Sequence, residues 1–197
     1  MCNLYRIEKN PDAIRRLFAD VQIPLTFPEG IPNFEPRDVR ISEKAPIVRF
    51  NSDKGVAELV ERRWSWPAPT GKPVFNMRSD GREFSRDRCL VLADSFYEFT
   101  APEDPKQKRK TCWQFRSAGD FAIAGLLRED SKVGEAFTLL TVPPGADIAP
   151  YHNRQIALLE PPQWRAWLDG SAKATDLLRA SAEGYFSVSA ATPQSSS

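Results

Sequence analysis

The chain has 197 residues, with 27 Lys plus Arg against 26 Asp plus Glu, one His, three Cys and 17 Pro. A hydrophobic share of 41% and an aromatic share of 11% exclude wholesale disorder and suffice for one buried core. The single His excludes His-rich metal sites, and Cys2, Cys89 and Cys112 fit neither a zinc template nor a disulfide scaffold. A net charge of +1 gives no global case for nucleic-acid binding, so any such case rests on local charge.

The N-terminus, Met1-Cys2-Asn3-Leu4-Tyr5-Arg6, has no apolar segment of the kind a secretion signal needs, and no run in the chain is long enough to span a bilayer. The expectation is a cytoplasmic protein with free thiols, no metal and no cofactor. Cys is small enough at position 2 for Met1 to be trimmed, which would leave Cys2 with both a thiol and a free α-amine.

Residues 2–8 read as a short strand. Asn10-Pro11 marks a helix start, with Asn10 as N-cap and Pro11 at the first helical position. Ile14, Leu17, Phe18 and Val21 then fall on one helical face, and Pro24 ends the helix. Five prolines between 24 and 46 predict a loop that stays out of any central sheet. Strands are predicted at 47–50, 56–64, 89–93, 95–99, 111–115, 121–127 and 136–142. A Pro-rich loop covers 67–73, and a charged turn covers 101–110. Pro161-Pro162 opens a helix stopped by Gly170, and 175–182 reads as a last helix before a strand at 185–188. Many short strands with few helices predict a single compact α+β domain, rich in β-structure, over residues 2–191, with a polar tail at 192–197.

Charge is uneven along the chain. Residues 61–90 hold seven basic side chains against four acidic ones, and Lys106, Lys108, Arg109, Lys110 and Arg116 follow. Residues 119–185 reverse the balance, with six basic against nine acidic.

Four positions carry candidate chemistry. A trimmed Cys2 is a 1,2-aminothiol, which condenses with an aldehyde: the amine forms a Schiff base and the thiol closes a thiazolidine. The same group is also suited to N-terminal nucleophile chemistry. His152 is the one side chain whose ordinary pKa lies near neutrality. Glu98 sits in an aromatic strand; it either faces solvent by alternation with Phe96 and Thr100 or is a buried carboxyl that moves protons. Asn76 and Arg78 fall on one side of an extended segment, where Asn can orient a reactive group and Arg can grip a phosphate.

Taken in order, these features resemble the SOS response-associated peptidase (SRAP) family. The resemblance runs from Met1-Cys2 through Arg63-Trp64, Asn76-x-Arg78-Ser79-Asp80, Arg88-Cys89-Leu90-Val91 and Ala93-Asp94-x-Phe96-Tyr97-Glu98 to Ala124-Gly125-Leu126 and His152-Asn153-Arg154. It departs from the usual family pattern at Asn3, Met77, Asp80, Ser95 and Gln155. The resemblance implies a barrel-like central sheet with a few peripheral helices and a basic groove at the N-terminus. It implies covalent capture of abasic sites in single-stranded DNA; separately, a monomer is expected. Cys2 would form the thiazolidine, Asn76 would orient it, Glu98 would move protons and His152 would assist sugar ring opening. Arg78, Arg63 and Arg154 would contact DNA, and Trp64 would support base stacking. Two other readings use the same residues. One is a thiol peptidase or self-processing enzyme with Cys2 as nucleophile and His152 as base, oriented by Asp147. The other is a nucleic-acid-binding module without chemistry.

Overall fold

The structure, a computed structural model, describes residues 2–102, 106 and 108–192; the predicted tail residues 193–197 and Met1 lie outside them. The first strand, β1 (Leu4–Ile7), leads into α1 (Pro11–Asp20). Asn10 caps α1 as its sequence predicts, its Oδ1 accepting from Ala13 N–H at 2.9 Å. The helix buries Ile14 and Phe18, and Phe18 packs on Trp164 with ring centroids 5.0 Å apart.

The proline-rich stretch is more ordered than its composition suggests. It contains β2 (Leu25–Thr26) and β3 (Arg37–Arg40), and β4 (Lys44–Asn51) takes Pro46 into a strand flanked on both sides. The predicted loop is therefore corrected for residues 25–26, 37–40 and 44–46. Pro46 is tolerated because the ladder to the neighbouring strand β9 (Arg88–Leu92) begins only at Ile47; Pro46 itself lies opposite Glu61 of β5 (Val56–Trp64).

After β5 come two paired fragments, β6 (Trp66–Pro67) and β7 (Pro73–Val74), and then the short β8 (Asn76–Arg78). Following β9 are β10 (Ser95–Thr100), β11 (Thr111–Ser117), β12 (Ala122–Asp130) and β13 (Gly134–Val142). Two-residue strands β14 (Gln155–Ile156) and β15 (Leu158–Leu159) lead to a 3-10 turn at Pro161–Gln163 and then α2 (Trp164–Leu168). The predicted last helix is only α3 (Ala174–Leu177), before β16 (Phe186–Ala190). It stops because Leu178 turns extended and Ser181 is drawn to the Gln155 side chain, whose Nε2 donates to its hydroxyl at 3.2 Å.

Five strands close a barrel in the order β13-β12-β9-β4-β5, with β5 pairing back onto β13. Each step along that path is antiparallel, so four reversals leave β5 running in the same direction as β13. The closing pair is accordingly parallel, with Arg63 opposite Ala136 and Trp64 opposite Phe137. Closure removes the edges of these strands. β8 then continues the parallel pairing along β13, with Asn76 opposite Leu139 and Arg78 opposite Thr141.

A second sheet, ordered β16-β11-β10-β1-β3, packs against the barrel. One contiguous core joins the two, including Tyr5, Trp64, Phe96, Phe115, Phe137 and Trp167. Cys89 and Cys112 are buried, as strand cysteines are expected to be. Gly125 is demanded by packing: a Cβ there would stand 2.8 Å from Cys89 Sγ and 3.0 Å from Val91. Among the described residues no helix is long and apolar enough to cross a membrane.

Candidate functional site

The four chemistry-bearing residues come from four separate segments. Cys2 precedes β1, Glu98 lies on β10, Asn76 opens β8, and His152 sits in the loop between β13 and β14. The second sheet supplies the first two and the barrel supplies the others, so the site lies at the seam between the sheets.

Cys2 is buried, 1% exposed, and its thiol donates to the Leu4 carbonyl at 3.2 Å. Burial, reinforced by the negative charge of Glu98, pushes the thiol up to about 12, so it rests protonated. Asn76 Nδ2 donates to the Cys2 carbonyl at 2.7 Å. This bond fixes the backbone of the residue that would carry the reactive amine. Asn76 Oδ1 is also buried and has no hydrogen-bond partner among the described residues.

Glu98 settles its two sequence readings in favour of burial: it is 2% exposed. Burial raises its carboxyl to about 7, and the positive charge of the N-terminus only partly opposes this. A carboxyl near 7 exchanges protons in both directions at neutral pH.

His152 has Nδ1 held against the backbone of Arg154, 3.0 Å from its N–H and 3.1 Å from its carbonyl. Burial and the N-terminal positive charge lower its pKa, leaving the imidazole neutral at pH 7. The loop that carries it is pinned at Gly145, whose N–H donates to Gln155 Oε1 at 2.6 Å and whose missing side chain leaves room for the Ser181 carbonyl. Asp147 does not orient His152. Its carboxylate instead accepts from the N–H groups of Gly184, at 2.9 Å, and Phe186, at 3.0 Å.

The residues expected at DNA separate into two kinds. Arg78 is exposed, with no ion-pair partner among the described residues. Arg154 is buried, and its guanidinium binds Asp80 at 2.6 Å and the Thr141 carbonyl at 2.7 Å. It thereby ties the Asn76–Asp80 segment to the His152 loop, joining two motifs that are far apart in sequence. Arg63 is half-buried and donates to the Ser42 carbonyl at 2.8 Å, on the turn between β3 and β4.

Trp64 is fully buried, with 0% exposed, so its ring is closed to a stacking base. It packs on Tyr5 with centroids 5.2 Å apart, and its Nε1–H donates to the Phe75 carbonyl at 2.9 Å. Trp64 thus props the strand after Cys2 and the residue before Asn76 against each other. The Arg-rich stretch 61–90 is divided: Lys72, Arg78, Arg82 and Arg86 are exposed, Arg62 and Arg63 are half-buried, and Arg88 is buried. Arg62 pairs with Glu29 and Glu135, and Arg88 serves the Phe84, Trp167 and Ala172 carbonyls while stacking on Trp167.

Sequence reasoning did not single out Trp113 and Tyr151. Trp113 is the cross-strand partner of Glu98, and its ring lies 5.0 Å from that of Tyr151, the residue before His152. Adjacency of Tyr151 to the lone His was the available signal.

A sequence model of the SOS response associated peptidase (SRAP) family matches residues 1–193. The chain belongs to the SRAP family. The chain is 24% identical to the abasic site processing protein YobE of Bacillus subtilis, covering 91% of this chain and 87% of that protein. Solved structures share the SRAP chain's fold at lower identity. A phage-related protein from Bordetella bronchiseptica superposes with a TM-score of 0.72 at 18% identity, covering 96% of this chain and 94% of that one. A protein from Bacteroides thetaiotaomicron gives 0.71 at 16% identity, covering 96% and 91%.

Proposed function

We propose that this SRAP protein, once Met1 is removed, captures abasic sites in single-stranded DNA as a thiazolidine on Cys2. The observation that carries the reading is the Asn76–Cys2 hydrogen bond of 2.7 Å, which holds the N-terminal residue next to a carboxyl titrating at about 7. The similarity to a protein named for abasic site processing supports the same reading.

The chemistry follows from the groups present. The ring-opened deoxyribose offers an aldehyde carbon, to which the Cys2 α-amine adds. Loss of one water leaves a Schiff base. The thiol sulfur then adds to the imine carbon and its proton passes to the nitrogen, so one water is released overall. The resting thiol is neutral, so it needs a base as the C–S bond forms, and the Glu98 carboxylate fills that role. Protonated Glu98 drives the reverse steps. Neutral His152 accepts the sugar hydroxyl proton during ring opening. Arg78 faces solvent at the end of β8 and meets a flanking phosphate.

The test is incubation of Met-trimmed protein with a single-stranded abasic oligonucleotide, read by denaturing gel and intact mass. The expected product has the mass of protein plus DNA less one water. Cys2→Ala removes it. Absence of a shifted band where a known aminothiol crosslinks overturns the reading; DNA binding without any adduct assigns the chain to a binding module instead.

A further inference from the structure

The site as described has an acid, a nucleophile and a phosphate contact, but Trp64 cannot stack on a base. Of the five tryptophans in the chain, Trp64, Trp66, Trp164 and Trp167 are at most 4% exposed. Trp113 alone is half-buried, and so is its ring partner Tyr151. Trp113 Nε1–H donates to Thr100 Oγ1 at 2.9 Å, which fixes one edge of the indole. The pair therefore forms a held aromatic wall between Glu98, opposite Trp113 on β10, and His152, next to Tyr151.

A second observation points along the same strand. Lys108, Arg109 and Lys110 are exposed and lead directly into Thr111, the first residue of β11. Trp113 lies two residues further on, about 7 Å at the rise of an antiparallel strand. The connection 101–110 carries four cations, Lys106 included, against two acids, Glu103 and Asp104. Cations beside an accessible aromatic face are the combination that single-stranded nucleic acid uses, phosphate on one and base on the other.

We infer that the β10–β11 hairpin is a second DNA subsite: the base flanking the lesion stacks on Trp113 and Tyr151, and the phosphates beyond it lie along Lys108, Arg109 and Lys110. The inference rests on the function proposed above and names the part of the strand that the Cys2 centre does not touch. A sequence-tolerant stacking wall would let one site accept a lesion in any sequence context.

The experiment uses intrinsic fluorescence during titration with an undamaged single-stranded oligonucleotide, and in parallel the rate of adduct formation on the abasic version. Trp113 is the accessible indole, so wild-type emission should be quenched on binding and Trp113→Leu should lose the quench. Affinity for a labelled oligonucleotide should fall about tenfold in Trp113→Leu, the order expected for one stacked base. Trp113→Phe should lose the quench but keep most of the affinity, which a merely structural defect would not do. Replacing Lys108, Arg109 and Lys110 with Gln should flatten the log–log salt dependence by about 2, at roughly 0.7 per phosphate on single strands. The rate of adduct formation at subsaturating DNA should fall in step with the lost affinity in Trp113→Leu and in the triple variant. An unaltered quench in Trp113→Leu, or an unaltered salt slope in the triple variant, overturns the subsite. Failure of wild-type protein to form any adduct overturns the proposed function and leaves the binding readout standing, so the two failures are distinct.

Discussion

Glu58 and Glu98 are buried to nearly the same degree, 4% and 2% exposed, yet they titrate in opposite directions. Glu58 sits in the barrel on β5 and accepts from Asn51 Nδ2 at 2.8 Å and Arg49 Nε at 3.1 Å. Burial acts to raise its pKa, but these two donors outweigh it and the pKa is lowered. Glu98 sits at the seam beside the Cys2 thiol, where burial outweighs the N-terminal charge and raises it to about 7. Burial alone therefore does not decide a carboxyl's role. The balance between burial and the groups placed on it does, and here it separates a carboxylate lowered by Asn51 and Arg49 from a carboxyl that titrates near 7.

The largest expected consequence is kinetic. Glu98→Gln should slow adduct formation by about two to four orders of magnitude, the usual worth of a positioned proton carrier. The wild-type rate should show an inflection near pH 7 that the variant lacks. Single-turnover gels across pH 5 to 9 measure both, and an unchanged rate removes Glu98 from the reaction. Glu58→Gln should leave that rate within about twofold while costing about 1.5–3 kcal/mol of stability in urea, the range for a hydrogen bond to a charged group.

Stability should also respond to pH with opposite sign. Folded Glu98 keeps a proton that the unfolded chain releases above 4.5, its ordinary value. Its contribution is full below that value and is lost as pH rises through about 7. Glu98→Gln should accordingly gain stability relative to wild type between pH 5 and 8. Glu58, lowered on folding, contributes fully above the ordinary carboxylate range, and that contribution is lost as pH falls through its folded pKa. The deficit of Glu58→Gln should therefore shrink in acid; thermal melts of both variants against wild type check the crossing. The smallest effect is expected from Asn51→Ala, which removes one donor to Glu58 and should cost about 1 kcal/mol while raising the Glu58 pKa in an NMR titration.

Much of the fold was legible from local signals. The Asn10-Pro11 start of α1 and the apolar run of β5 depend on residues close together in the chain, and both appear where expected. The stretch 24–46 departs from the expected loop because β2 and β3 fall between its prolines and Pro46 lies where β4 has no β9 partner, a pairing set by the tertiary fold. The site shows the same division. Cys2, Asn76, Glu98 and His152 stood out by residue type and motif. Trp64 and Arg154 stood out equally, yet both are internal, one as a pillar and one as a clamp.

By itself the sequence determined the chemical inventory: an aminothiol once Met1 is trimmed, one imidazole, a carboxyl in an aromatic strand, and the alternation that makes a β-rich chain. Tertiary structure decided which of these groups meet and which charges remain available. The physical reason is that a side chain's reactivity depends on its solvation and its neighbours. Cys2 meets Asn76 from 74 residues away and Glu98 from 96 residues away, across the seam between the barrel and the second sheet.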